Sequence, residues 1–253
     1  MRNSLKALIL GLTMALMAGC GADAPSMSPN AGKNLNGLVI STPDPNANRG
    51  IQNPAQDLKV MLSDISARYQ RINSISSTII TYDSNGTKTV SSKASACFQK
   101  PGKISVQVLE HTDGKAVGTK IVYLGSGQAK VKTKFFGFQV KVNLDLSDGR
   151  MCNTRGNTLA ETGIVRMMSI LLDPNAKTRV LGQGELNGKT LTIVEVISSQ
   201  SLRGITKELY YIDQQEKIPL VREMYEGNRL VYRSQFNNVV LNGQLPANAF
   251  TLD

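Results

Sequence analysis

The chain has 253 residues, enough for one or two domains, with 41% hydrophobic residues, 5% aromatics and no tryptophan. Its formal charge of +10 would suit nucleic acid or an anionic lipid, yet no block of five Lys/Arg occurs and the cations are spread along strand-like stretches, so a solvated basic surface is expected and nucleic acid is not. One histidine, and neither H-E-x-x-H nor G-x-S-x-G, leaves little material for a metalloenzyme or a serine hydrolase, and no enzyme activity is expected.

The N-terminus begins with Arg2 and Lys6, followed by an apolar run from Ala7 to Ala18. About 12 residues are too few to span a bilayer as a helix, which needs about 20, but they suit the h-region of a signal peptide. Met17-Ala18-Gly19-Cys20 then resembles the bacterial lipobox, in which the cysteine thiol takes a diacylglyceryl group before cleavage. The expectation is a signal peptide over 1–19 and a lipid anchor on Cys20. The alternative is an ordinary secretory signal with an incidental cysteine. Gly21, where an Asp would retain an enterobacterial lipoprotein in the inner membrane, favours the outer membrane facing the periplasm.

Residues 20–52 are rich in Pro, Asn, Gly, Ser and Ala without apolar periodicity, and read as a flexible linker. The folded domain is expected over 53–253. Asn53, Pro54 and Gln56 form a helix start, and Leu58, Leu62, Ile65, Tyr69 and Ile72 recur at helical spacing.

From Ile75 the period falls to that of short strands. "SSTIITY" runs into the turn Asp83-Ser84-Asn85-Gly86, and strands follow through Val90–Phe98, "KISVQVLE", "TKIVYL" and "QAKVKT". Val131 and Thr133 alternate with lysines, after which the apolar parity flips to Phe136, Phe138, Val140 and Val142, so a turn or bulge is expected near 135–137. "NTLAETGIVRMMSILLDPN" interrupts the strands with a second capping box, Thr158 and Glu161, and an apolar face at Ile164, Met168, Leu171 and Leu172. That helix is either plain core or a lid. Five more strand-like runs complete an antiparallel meander, with no βαβ pattern.

Little here carries reaction chemistry. His111 sits in a loop without a metal or nucleophile partner. "GQGELNGKT" fails the phosphate-loop spacing from either Gly182 or Gly184, and a strand follows it. Cys97 and Cys152 form an even pair in an exported chain, which suggests a disulfide, the alternative being two buried thiols. Two ligands do not make a zinc site, and no metal or cofactor is expected.

Three stretches, "LKVMLSDISARYQRINSISSTIITYDSNG", "ASACFQKPGKISVQV" and "KIVYLGSGQAKVK", with the closing "LYYIDQQEKIPLVREMYEGNRLVYRSQFNNVVLNGQLPANAF", resemble the LolA/LolB family of periplasmic lipoprotein carriers over roughly residues 55–253. The resemblance implies a mostly β fold with α, an unclosed antiparallel half-barrel whose concave apolar face is covered by helices 55–73 and 158–172. It implies a cavity for acyl chains, with Leu62, Ile65, Tyr69, Phe136, Phe138, Ile164, Met168 and Leu171 as lining or lid. Lys100, before Pro101, matches an Arg that holds the soluble carrier's lid closed, though Lys lacks the planar fork. The phenylalanines at 135–138 are either interior lining or a substitute for the acceptor member's exposed insertion loop. The function so implied is a monomeric, lipid-anchored protein that binds acyl chains of lipoproteins or phospholipids in lipoprotein sorting or lipid transport. The alternative is the same scaffold regulating an envelope protein partner.

Overall fold

A computed structural model describes residues 38–39 and 54–252. The signal segment, Cys20 and most of the linker lie outside the described residues. Leu38–Val39 is the exception. This apolar dipeptide forms strand β1 and pairs antiparallel with Leu186 and Glu185, so the sheet begins inside the stretch read as linker.

Helix α1 spans Pro54–Arg71, as its apolar spacing predicts. The first meander follows: β2 (Ser74–Ser84), β3 (Thr89–Gln99), β4 (Lys103–His111), β5 (Lys120–Leu124), β6 (Ala129–Phe135) and β7 (Phe138–Leu144). A second contains β8 (Lys177–Leu186), β9 (Lys189–Ile197), β10 (Lys207–Asp213), β11 (Pro219–Glu226) and β12 (Arg229–Leu241). All pairings are antiparallel, in the order β1-β8-β9-β10-β11-β12-β2-β3-β4-β5-β6-β7, and β1 and β7 do not pair with each other. The result is one unclosed antiparallel sheet.

The topology explains why helices cover one face. β7 and β8 are consecutive in the chain but stand near opposite ends of the sheet. The segment between them must cross a face, and it carries α2 (Leu159–Thr162) and α3 (Ile164–Leu171). Met167, Met168, Ile170 and Leu171 of α3 pack with Ile65 of α1 against Val194, Tyr210, Ile212 and Phe236 of the sheet. Each such side chain contributes about 1.5–3 kcal/mol when fully buried.

The helix expected over 158–172 is an elbow. Its capping box forms, with Thr158 accepting from the Glu161 amide and Glu161 accepting from the Thr158 amide. Gly163 then takes φ −71° and ψ 168°, which interrupts the helix. A Cβ at Gly163 would stand 2.9 Å from the Leu159 carbonyl oxygen.

The approach to the elbow is pinned. The backbone amide and the hydroxyl of Thr154 donate to Asp83 at 2.7 and 2.5 Å, and Arg155 pairs with Glu226 while reaching the Ser84 carbonyl at 3.3 Å. Burial raises the Asp83 carboxyl above its ordinary pKa, with the Thr154 bonds acting in opposition.

The expected disulfide is not formed: Cys97 and Cys152 are both free thiols. The reason is position. Cys97 pairs with Ser76, whereas Cys152 precedes the loop tied to Asp83, seven residues along β2. At about 3.3 Å per residue that is on the order of 20 Å, far beyond the roughly 4.4–6.8 Å between Cα atoms of a disulfide. Burial instead raises the pKa of both thiols.

Candidate functional site

A cavity of ≈ 220 Å³ lies between the concave face of β12, β2, β3 and β4 and the α2–α3 elbow. Cross-strand register builds its floor in rungs. Phe236, Ile79, Ala94 and Val108 form one, Ser77, Ala96 and Val106 the next, and Ile75, Phe98 and Ile104 a third. The hollow exists because Ala94, Ala96 and Ser77 stand where large side chains would fill it. Leu159, Thr162, Gly163 and Ile164 form the roof.

One rung is different. Tyr210, Arg222, Ser234, Thr81 and Ser92 lie directly opposite one another across five strands. Ser234, Thr81 and Ser92 line the cavity, and the Thr81 and Ser92 hydroxyls are 2.6 Å apart. The cavity therefore has an apolar end and a hydroxyl-lined end.

Beyond Ser234 the rung is buried. Arg222 and Glu208 are both fully buried and paired through Nε at 2.7 Å. Glu208 also accepts from Tyr210 at 2.6 Å and from Ser201 at 2.9 Å. The Arg222 guanidinium lies 6.0 Å from the centre of the Tyr210 ring. Burial opposes the Arg222 charge, but Tyr210 and Glu208 more than offset it. The sequence reading passed over this pair. The available signal was parity, since Arg222 stands between Leu220 and Met224, and Glu208 two residues before Tyr210, on the apolar face of their strands.

The residues expected at the cavity are redistributed. Ile164 lines it. Ile65, Met168 and Leu171 are buried in the helix–sheet core instead, with Leu62 and Tyr69 packed against it. Leu62 also borders a separate, solvent-open groove of ≈ 450 Å³ between α1 and residues 172–178. That groove lacks the strand floor and the roof of the first.

Phe136 and Phe138 are corrections. They are 86% and 75% exposed at the tip of the β6–β7 hairpin, away from the cavity. The parity flip marks a tight turn, with Phe136 and Gly137 both at positive φ, of 47° and 83°. The core that covers Val131, Val142 and Leu144 from Met151 and Leu146 ends before the tip. On the opposite face Lys132 and Lys141 of the hairpin stand in one cross-strand row with Lys120 of β5, whose Nζ donates to the Asn248 carbonyl at 2.9 Å.

Lys100 reaches α1 rather than the elbow. Its Nζ donates to the carbonyls of Tyr69 and Gln70 at 2.7 and 3.0 Å and lies 4.7 Å from the Tyr69 ring centre. A cation at a helix C-terminus answers both the orphan carbonyls and the helix dipole. Lys100→Met is expected to destabilise the domain by about 1–2 kcal/mol, read as a lowered midpoint in thermal or denaturant unfolding.

The architecture matches the one expected from sequence: an open antiparallel sheet crossed by helices on its concave face. That is the architecture which the LolA/LolB resemblance implies. Solved structures similar to this chain include a LolA superfamily protein from Nitrosomonas europaea (14% identity, TM-score 0.33, covering 79% of this chain and 98% of that one). Another is the Mycobacterium tuberculosis lipoprotein LppX (11%, TM-score 0.46, 76% and 98%). A third is Pseudomonas aeruginosa MucB in complex with MucA (15%, TM-score 0.41, 78% and 61%). No family model and no curated protein matches the chain by sequence. Among the described residues no cluster of three or more His, Cys, Asp or Glu is placed to hold a metal ion.

Proposed function

We propose that this is a lipid-anchored envelope protein that binds the acyl chains of lipoproteins or lipids in its concave cavity, in lipoprotein sorting or lipid transport. The observation that carries this reading is the roofed floor of Ile75, Ile79, Ala94, Ala96, Phe98 and Val108. A water occupies about 30 Å³, and a methylene is of similar size, so ≈ 220 Å³ accepts roughly seven methylenes. At about 0.8 kcal/mol each, they would contribute about 5–6 kcal/mol on leaving water. No reactive group is needed for such binding.

The membrane side of the proposal rests on the lipobox at Cys20 and on the β6–β7 hairpin. Phe136 is an aromatic residue in a positive-φ turn position where Asn or Gly is preferred. Its exposed ring, with the exposed Phe138 beside it, suits insertion at a bilayer surface. Cys20→Ser is expected to move the protein from membranes to the soluble fraction while leaving weak binding to anionic vesicles. Adding Phe136→Ser and Phe138→Ser should lower that residual binding at least tenfold. Co-sedimentation measures both effects, and unchanged binding would remove the hairpin from the reading.

The deciding experiment is native mass spectrometry of protein purified from its own membranes, with lipid extraction of the same sample. A bound phospholipid or acylated peptide, beyond any mass on Cys20, supports acyl carriage. An empty domain isolated with one stoichiometric protein partner supports the regulatory scaffold instead.

A further inference from the structure

The polar rung contains an unspent binding capacity. Arg222 has five N–H groups and uses one, the Nε–H, on Glu208. Its Nη1 and Nη2 are buried and have no hydrogen-bond partner. Leaving buried donors unsatisfied is costly, so such atoms call for an explanation. Glu208 does not supply it, because Arg222 reaches the carboxylate through Nε alone, and the carboxylate also accepts from Tyr210 and Ser201.

Position supplies one. Arg222 stands directly across from Ser234, one strand from the cavity, at the hydroxyl-lined end. Neighbouring strands lie about 4.8 Å apart, less than the length of an arginine side chain. Tyr232, on the same concave face, lines the cavity and feels the Arg222 charge. The roof at this point is Thr162 and Gly163, the elbow where helix hydrogen bonding is already broken.

Building on the acyl-binding reading, we propose that Arg222 is the head-group receptor of the cavity. Its Nη groups, with the Ser234 and Thr81 hydroxyls beside them, receive the oxygen acceptor at the head of an acyl chain, a carboxylate or an ester carbonyl. The chain then runs along the apolar rungs towards Phe98 and Ile104. Because Glu208 already balances the Arg222 charge, a neutral ester is accommodated as well as an anion.

The test compares octanoic acid, methyl octanoate and octane as competitors of a fluorescent fatty-acid probe on the full chain. Arg222→Met alone leaves Glu208 buried without its counter-charge, so the informative variant is the pair Arg222→Met and Glu208→Leu, checked for a native melting transition. The native chain should favour one or both headed ligands over octane by about tenfold or more, and the paired variant should lose that preference while still binding octane. Acid and ester binding equally identifies the ester carbonyl as sufficient, whereas acid alone identifies the carboxylate. If the native chain binds all three alike, or the variant keeps the preference, the head-group site is wrong and acyl binding stands. If the native chain binds none of them, both proposals fall.

Discussion

Ala94→Phe is expected to reduce binding of a medium-chain fatty-acid probe at least tenfold while the domain stays folded. Ala94 lies on the concave floor between Ile79 and Val108 and is buried. Its neighbours leave a void rather than contacts, so a phenyl ring at this position would enter the cavity. Overpacking a well-filled core costs about 1–3 kcal/mol, but filling a cavity restores lost dispersion contacts. The unfolding midpoint should therefore move by only a few degrees in either direction. Titration of the probe together with thermal unfolding separates the two effects. Loss of binding with a collapsed midpoint would mean that Ala94 is ordinary core and the cavity is not where chains bind.

The second large effect is on stability. Arg222→Met should destabilise the domain by about 3–5 kcal/mol, because it leaves Glu208 charged and buried without its counter-ion. Glu208→Leu in the same chain should recover most of that loss, since an apolar pair of similar volume is often neutral or better than a buried ion pair. A double-mutant cycle in denaturant unfolding gives the coupling directly. Additive losses would show that Tyr210 and Ser201 hold Glu208 without help from Arg222.

The β-meander and α1 were legible because both rest on strong periodicities. Leu58, Leu62, Ile65 and Tyr69 mark the helix, and strand bounds such as Lys189–Ile197 follow directly from the apolar runs. Register was not legible, and the site depends on register. Ala94 and Ala96 look unremarkable in "KASACFQ" until Ile79 and Val108 are seen beside them. Arg222 looks like a surface cation until Ser234 and Tyr210 flank it. Phe136 and Phe138 misled for a related reason: the alternation of a hairpin continues past the edge of its core, and parity alone does not show where the cover ends. The break at Gly163 was also hidden, because the capping box and the apolar face both fit a continuous helix. The elbow it creates is nonetheless the part of that segment which meets the cavity.

The short pairing of Leu38 and Val39 with β8 fixes the chain to the sheet well before α1 begins. With Cys20 acylated as proposed, the folded unit is fastened at residue 38 rather than at Pro54. Eighteen residues reach at most about 65 Å, against about 120 Å for the thirty-four residues to Pro54. Under that proposed anchoring, peeling two residues from a sheet edge would nearly double the contour length available, and this brief strand would act as a clasp on the domain's range.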